Sequence, residues 1–181
     1  YDPEEGTLMA RLNVRGAALA GQLCRDLDVP YQQIGSLVLA FDETDERTLR
    51  TLYARGLANG VPGLTLLSGD EVRKREPALS PNVRLALYAP SAGIVSPWEY
   101  ALALAETAVR NGVEIRLDSG VEAIEMTGDG YLLHTPSGTL HARYVVNAAG
   151  LYADRVHALI GGDSFVITPS KGEYHLLDKS E

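Results

Sequence analysis

The run VVNAAGLYADRV, Val145 to Val156, restricts the fold more than any other stretch of this chain. Two β-branched residues open it as a strand. Asn147-Ala148-Ala149-Gly150 then stops the strand and turns it directly into a helix. Such a strand-to-helix step is a building unit of folds that mix the two elements. It also leaves backbone N–H groups at the carboxyl end of the strand, where ligands bind in doubly wound sheets. A helix N-terminus at that point favours negative charge. Ala148, Ala149 and Gly150 have almost no side chain to hold a ligand away. The same residues suit a tight turn packed under a helix, and spacing alone leaves the two readings balanced.

The rest of the chain alternates helical and strand patterns, so the expected fold class is mixed α/β (α+β). Apolar residues at Leu8, Leu12, Val14, Ala18, Leu19, Leu23 and Leu27 approximate one helical face over Gly6 to Asp28, and Pro30 stops it. QIGSLVLAF, Gln33 to Phe41, reads as a strand with both faces buried. Asp42-Glu43-Thr44 opens a second helix that runs to Asn59-Gly60. A strand over Thr65 to Leu67, a small helix from Ser68 to Pro77 and a strand over Leu85 to Ala89 follow. Ser96-Pro97-Trp98-Glu99 has the pattern of a capping box, opening a helix that ends at Asn111-Gly112. Trp98 and Tyr100, in its first turn, are expected to pack. Further strands are expected over 113–117, 121–126, 130–134 and 139–143, the last three as a meander, and again over 164–168 and 172–178.

Several functions are disfavoured by what the sequence lacks. A formal net charge of −8 does not suit nucleic acid, whose phosphates need clustered Lys and Arg. No apolar run approaches the roughly 20 residues that cross a bilayer. Cys24 is the one cysteine, which excludes an internal disulfide, fits a reducing, cytoplasmic location and reads as core filler. His134, His141, His157 and His175 lack metal-ligand spacing, so no metal is expected. GAALAG, Gly16 to Gly21, lies inside a helical pattern and reads as packing, not as a phosphate loop. The chain opens on Tyr1-Asp2-Pro3 and stops just after the strand-like Tyr174-His175-Leu176-Leu177, so it is expected to be a piece of a larger protein.

VVNAAGLYADRV resembles the second flavin-binding segment of the FAD-dependent oxidoreductases of the D-amino-acid-oxidase and glycerol-3-phosphate-dehydrogenase group. Other stretches resemble that group in the same order. They are Tyr1 to Gly16 (YDPEEGTLMARLNVRG), Ile34 to Phe41 (IGSLVLAF), Ala92 to Glu99 (AGIVSPWE), Gly120-Val121 and Pro169 to Asp178 (PSKGEYHLLD). The resemblance implies a substrate-domain sheet with helices joined to a partial, Rossmann-like FAD domain. Residues 1–95 would be mostly substrate domain, 96–163 the FAD-domain remnant with its meander, and 164–181 a return into the substrate domain. It implies FAD contacts at Val121, Asn147, Ala148, Ala149, Gly150 and Leu151. It also implies a substrate side at Lys171, Glu173 and Tyr174, with Tyr1 a further candidate. Lys171 would pair with a small anionic or hydroxy-acid substrate.

The implied reaction moves hydride to flavin from a C–H bond beside oxygen or nitrogen, the protein supplying orientation and a base that no residue here identifies. Substrates resembling glycerol 3-phosphate or 2-hydroxyglutarate are expected. An amine or amino-acid oxidase of the same group and a non-catalytic binding module are the alternatives. Two parts of the family pattern are missing: the N-terminal Gly-x-Gly-x-x-Gly with its ribose-binding acid, and the C-terminal strands that complete the pocket. The chain is therefore expected to be a central fragment, inactive alone and binding FAD weakly or not at all. The intact parent could sit peripherally at the inner face of a membrane.

Overall fold

The computed structural model describes residues 1–161 and 165–175. The chain forms two compact units, Tyr1–Val113 and Glu114–Glu181. They are described separately.

The first unit contains α1 (Leu8–Asp26), β1 (Tyr31–Gln32), β2 (Ser36–Ala40), α2 (Glu43–Ala58), β3 (Thr65–Ser68), α3 (Gly69–Arg75), β4 (Leu85–Ala89), β5 (Ile94–Val95) and α4 (Pro97–Arg110). Its main sheet is antiparallel, in the order β2-β4-β3, with Val38 and Leu66 both opposite Leu87. Alternation along the strands sorts the apolar side chains to two faces. Val38, Ala40, Leu66, Leu87 and Ala89 meet Leu49, Leu52 and Tyr53 of α2. Leu37, Leu39, Leu67 and Ala86 meet Val72 of α3, together with Leu79 and Val83. Both faces are thus covered, as the apolar run of QIGSLVLAF implies. Its strand is an edge, however, and stays half-buried up to Ala40, while Ala86 and Leu87 on the central strand are fully buried.

Cap chemistry decides where these helices start. The Asp42 carboxylate accepts from the N–H groups of Thr44 (2.8 Å) and Asp45 (2.9 Å). The reciprocal capping box forms at Ser68 and Glu71, not at Ser96 and Glu99. Ser96 Oγ accepts from Glu99 N–H at 3.3 Å, but among the described residues Glu99 returns no hydrogen bond and its carboxylate stays in solvent. The two N-caps differ in backbone angle, ψ 162° at Ser68 against 112° at Ser96, so only Ser68 offers its own N–H to the residue three positions on. GAALAG lies within α1 and Cys24 is buried on it. Trp98 does not pack: it is 76% exposed at the start of α4, a helix with no buried residue.

The second unit is built on an antiparallel meander, β6 (Ala123–Thr127), β7 (Gly130–Thr135) and β8 (Gly138–Ala142). A single 3-10 turn, Gly150–Tyr152, leads into α5 (Ala153–Ala158). The strands expected over 113–117 and at Val145-Val146 are absent from the structure. Val113, Ile115 and Leu117 are exposed, as are Tyr144 (86%) and Val146 (89%). A strand needs a neighbour to take its N–H and C=O groups, and among the described residues neither stretch has one. The described parts of the last two expected strands, 165–168 and 172–175, are irregular, and the remainder lies outside the described residues.

Candidate functional site

The Asn147 side chain organises the turn that follows Val145-Val146. Its Oδ1 accepts from Ala149 N–H at 3.2 Å and its Nδ2 donates to Ala153 C=O at 2.8 Å. One side chain therefore folds the backbone tightly and ties it to the first residue of α5. Gly150 completes the turn at φ +57°, a left-handed conformation that costs a residue with a Cβ roughly 1–2 kcal/mol.

A cavity of about 520 Å³ opens beside this turn. Ile124 and Leu133 from the meander line it, as do Val156 of α5 and Leu159 at the C-cap of that helix. Gly120 and Val121 meet Val145, Val146, Asn147, Ala148 and Ala149 along its edge, with Tyr152 and Arg155 beside them. The lining is apolar except for Asn147, the Tyr152 phenol and the Arg155 guanidinium, which lies 5.1 Å from the Tyr152 ring centre. A Cβ built on Gly120 or Gly150 would meet nothing within 4 Å. Among the described residues the N–H groups of Val121, Ala148 and Gly150 have no acceptor. Small residues at Gly120, Ala148 and Ala149 and the free N–H groups of Val121 and Ala148 thus lie along one cavity, which leaves room for a ligand against the backbone.

The segment beyond α5 is tied back to it. Asp154 accepts from the N–H groups of Arg155 (2.8 Å) and Ile167 (3.1 Å). The Ile167 bond is the main cause holding its carboxyl below the usual carboxylate range. The His157 and Phe165 rings pack at a tilt of 44° with centres 5.2 Å apart.

The model of the FAD dependent oxidoreductase (DAO) family matches residues 1–181. The chain belongs to this family. It is 46% identical over 180 residues to a glycerol 3-phosphate dehydrogenase of Caloramator mitchellensis, covering 99% of this chain and 38% of that protein. It is 33% identical to the human mitochondrial L-2-hydroxyglutarate dehydrogenase, covering 98% of this chain and 40% of the relative. Among solved structures it is similar to L-alpha-glycerophosphate oxidase from Mycoplasma pneumoniae with FAD bound. That match has a TM-score of 0.80 and 30% identity, over 97% of this chain and 50% of the other. The chain therefore spans well under half the length of the two curated relatives.

In this family member, four of the residues expected at the cofactor, Val121, Asn147, Ala148 and Ala149, line one cavity. Gly150 and Leu151 do not line it: Gly150 shapes the turn and Leu151 is 61% exposed. Lys171 and Glu173 pair with each other at 2.7 Å, both exposed, and Tyr174 is 93% exposed. Tyr1 belongs to the other unit, where it packs half-buried against Gly56 and the core under α2. Tyr152, Arg155 and the walls at Ile124, Leu133, Val156 and Leu159 were not singled out by the sequence reading. The walls follow from the inward positions of the meander and one face of α5. Arg155 lies within the quoted run itself.

Proposed function

We propose that the chain is the central part of an FAD-dependent oxidoreductase that oxidises a small anionic hydroxy compound, glycerol 3-phosphate or a 2-hydroxy acid. The observation that carries this reading is the convergence of Val121 with Asn147, Ala148 and Ala149 on one cavity, with open space over Gly120. The 46% identity to a glycerol 3-phosphate dehydrogenase favours the phosphate ester over the hydroxy acid.

FAD, when bound, supplies the two-electron acceptor for hydride. The chain's own residues position it. Val121, Ala148 and Gly150 offer backbone N–H groups, and Asn147 holds the turn that aims them. Leu151, exposed in the 3-10 turn beside Gly150, would add a further contact to the cofactor. Ile124, Leu133, Val156 and Leu159 exclude water from the other side. Lys171, with Glu173 and Tyr174 beside it, would meet the substrate anion, its exposed ammonium exchanging Glu173 for the ligand. Tyr1 has a packing role in the first unit and is the weakest of the substrate-side residues.

The chain spans well under half the length of its curated relatives, and we propose that by itself it holds FAD weakly or not at all. We place the protein in the cytoplasm, and no helix among the described residues is long and apolar enough to cross a membrane. The test is to purify the complete polypeptide that carries this chain. Stoichiometric flavin, bleached by glycerol 3-phosphate or by a 2-hydroxy acid, is the expected result. A complete polypeptide that takes up no flavin would sink the proposal.

A further inference from the structure

We propose that a second cavity, built wholly from the first unit, binds a small organic acid: a single carboxylate on an apolar body. The cavity measures about 560 Å³ and lies between α1 and Gly60-Val61-Pro62, which follow α2. No part of it belongs to the flavin reading above, and either can fail without the other.

The run GAALAG supplies one side. Ala17, Ala18 and Gly21 keep α1 thin where the cavity opens, and Val14, Val61 and Pro62 add to an apolar lining. Two glycines make room for an aromatic ring. A Cβ at Gly21 would lie 3.5 Å from the Tyr31 ring, and one at Gly93 would collide with the Tyr31 hydroxyl. Tyr31 is thereby held half-buried on β1, in the wall of the cavity. The turn that carries Ser91 is fixed by the residues just after β1. Gln33 Nε2 donates to Pro90 C=O at 3.0 Å, and Gly35 N–H donates to Ala92 C=O at 2.9 Å.

Three polar side chains of this lining have capacity left for a ligand. Tyr31 and Ser91 are half-buried, and among the described residues neither hydroxyl has a hydrogen-bond partner. The Arg25 guanidinium donates to Gln22 Oε1 at 2.7 Å, and among the described residues it forms no ion pair. The adjacent Asp26 carboxylate accepts instead from the uncharged Gln22 amide at 2.6 Å. A basic residue in the last turn of a helix offsets the dipole, which accounts for the charge of Arg25. It does not account for two free hydroxyls in the same apolar lining, whose lost hydration is offset only when a ligand supplies acceptors. A carboxylate supplies them, with oxygens that meet a guanidinium in its plane and take hydroxyl donors as well. The negative end of α1 disfavours a second charge, so one carboxylate suits this place better than a dianionic phosphate. The apolar lining and the volume call for an apolar body behind it.

The experiment uses the complete polypeptide that carries this chain, as wild type, Arg25→Met and Tyr31→Phe. Each is titrated calorimetrically with octanoate, octan-1-ol and octyl phosphate at pH about 8, where the phosphate ester is a dianion. Wild type should bind octanoate about tenfold or more tightly than octan-1-ol, and more tightly than octyl phosphate. Arg25→Met keeps the stem, removes the donors and should weaken octanoate about tenfold or more. Tyr31→Phe removes one hydroxyl and should weaken it about threefold or more, and both variants should keep the wild-type melting midpoint without ligand. Octanoate that does not bind wild type overturns the inference, as does an affinity in either variant within about twofold of wild type. Octan-1-ol or octyl phosphate that binds wild type as tightly as octanoate overturns it too, and this comparison decides alone should a variant not fold.

Discussion

The Asp154 carboxylate accepts a hydrogen bond from the N–H of Ile167, thirteen residues further along the chain, at 3.1 Å. This bond ties the chain at Ile167 back to α5. It makes that attachment a question of charge as well as of shape.

Asp154 is held below the ordinary carboxylate range, first by the Ile167 N–H and then by Arg155. A depressed folded value means that the stabilisation is fully present above the unfolded value of roughly 3.9 and is lost as pH falls through the lower folded one. The protection factor of the Ile167 amide, taken against the intrinsic exchange rate at each pH, should hold from neutral pH down through the unfolded carboxylate value of roughly 3.9 and fall only below it. Asp154→Asn keeps an acceptor and should remove the pH dependence, whereas Asp154→Ala should accelerate exchange at every pH.

Asn147→Ala deletes both hydrogen bonds that shape the turn. Loss of two partly exposed bonds should cost about 1–2 kcal/mol of stability in the second unit. Asn147→Asp retains the acceptor and loses the donor, so it should fall between. Chemical denaturation followed by Tyr fluorescence orders the three proteins.

Gly150→Ala meets no steric obstacle but forces a Cβ into φ +57°. It should destabilise by about 1 kcal/mol. Gly56→Ala should cost more, about 1–3 kcal/mol, because its Cβ would overlap Leu64 and Tyr1 in a packed core. Equal midpoints for the two variants would contradict the assignment of Tyr1 to packing.

Ser68→Ala and Ser96→Ala each remove an N-cap and should each cost about 1 kcal/mol. Their acidic partners should behave differently. Glu71→Gln should destabilise α3, since Glu71 returns hydrogen bonds to Ser68 that hold its carboxyl below the usual range. That contribution is present above the unfolded carboxylate value and fades as pH drops through the depressed one. Glu99→Gln should leave α4 unchanged. Thermal midpoints of the four variants at neutral pH check this.

Most local elements were legible because short-range chemistry sets them. Asp42 and Ser68 announced helix starts, Asn59-Gly60 and Asn111-Gly112 announced ends, and the meander followed from its glycine-bearing turns. The capping box was misplaced because the residue pattern is the same at Ser68 and Ser96, and only the backbone angle separates them. The strands over 113–117 and at Val145-Val146 were misread for another reason. β-branched, apolar composition states a preference for pairing, but a strand exists only where a second backbone supplies the hydrogen bonds.

By itself, the sequence determined the small, left-handed turn at Asn147 to Gly150, because only those residue types close it without steric cost. Tertiary structure decided what that turn meets. It brought Val121, distant along the chain, to the same cavity as Asn147, Ala148 and Ala149, lined that cavity with apolar residues of the meander and α5, and set the Arg155 guanidinium over the Tyr152 ring. Those relationships depend on how separate elements pack, and no local pattern encodes which side chain will find an empty space beside it.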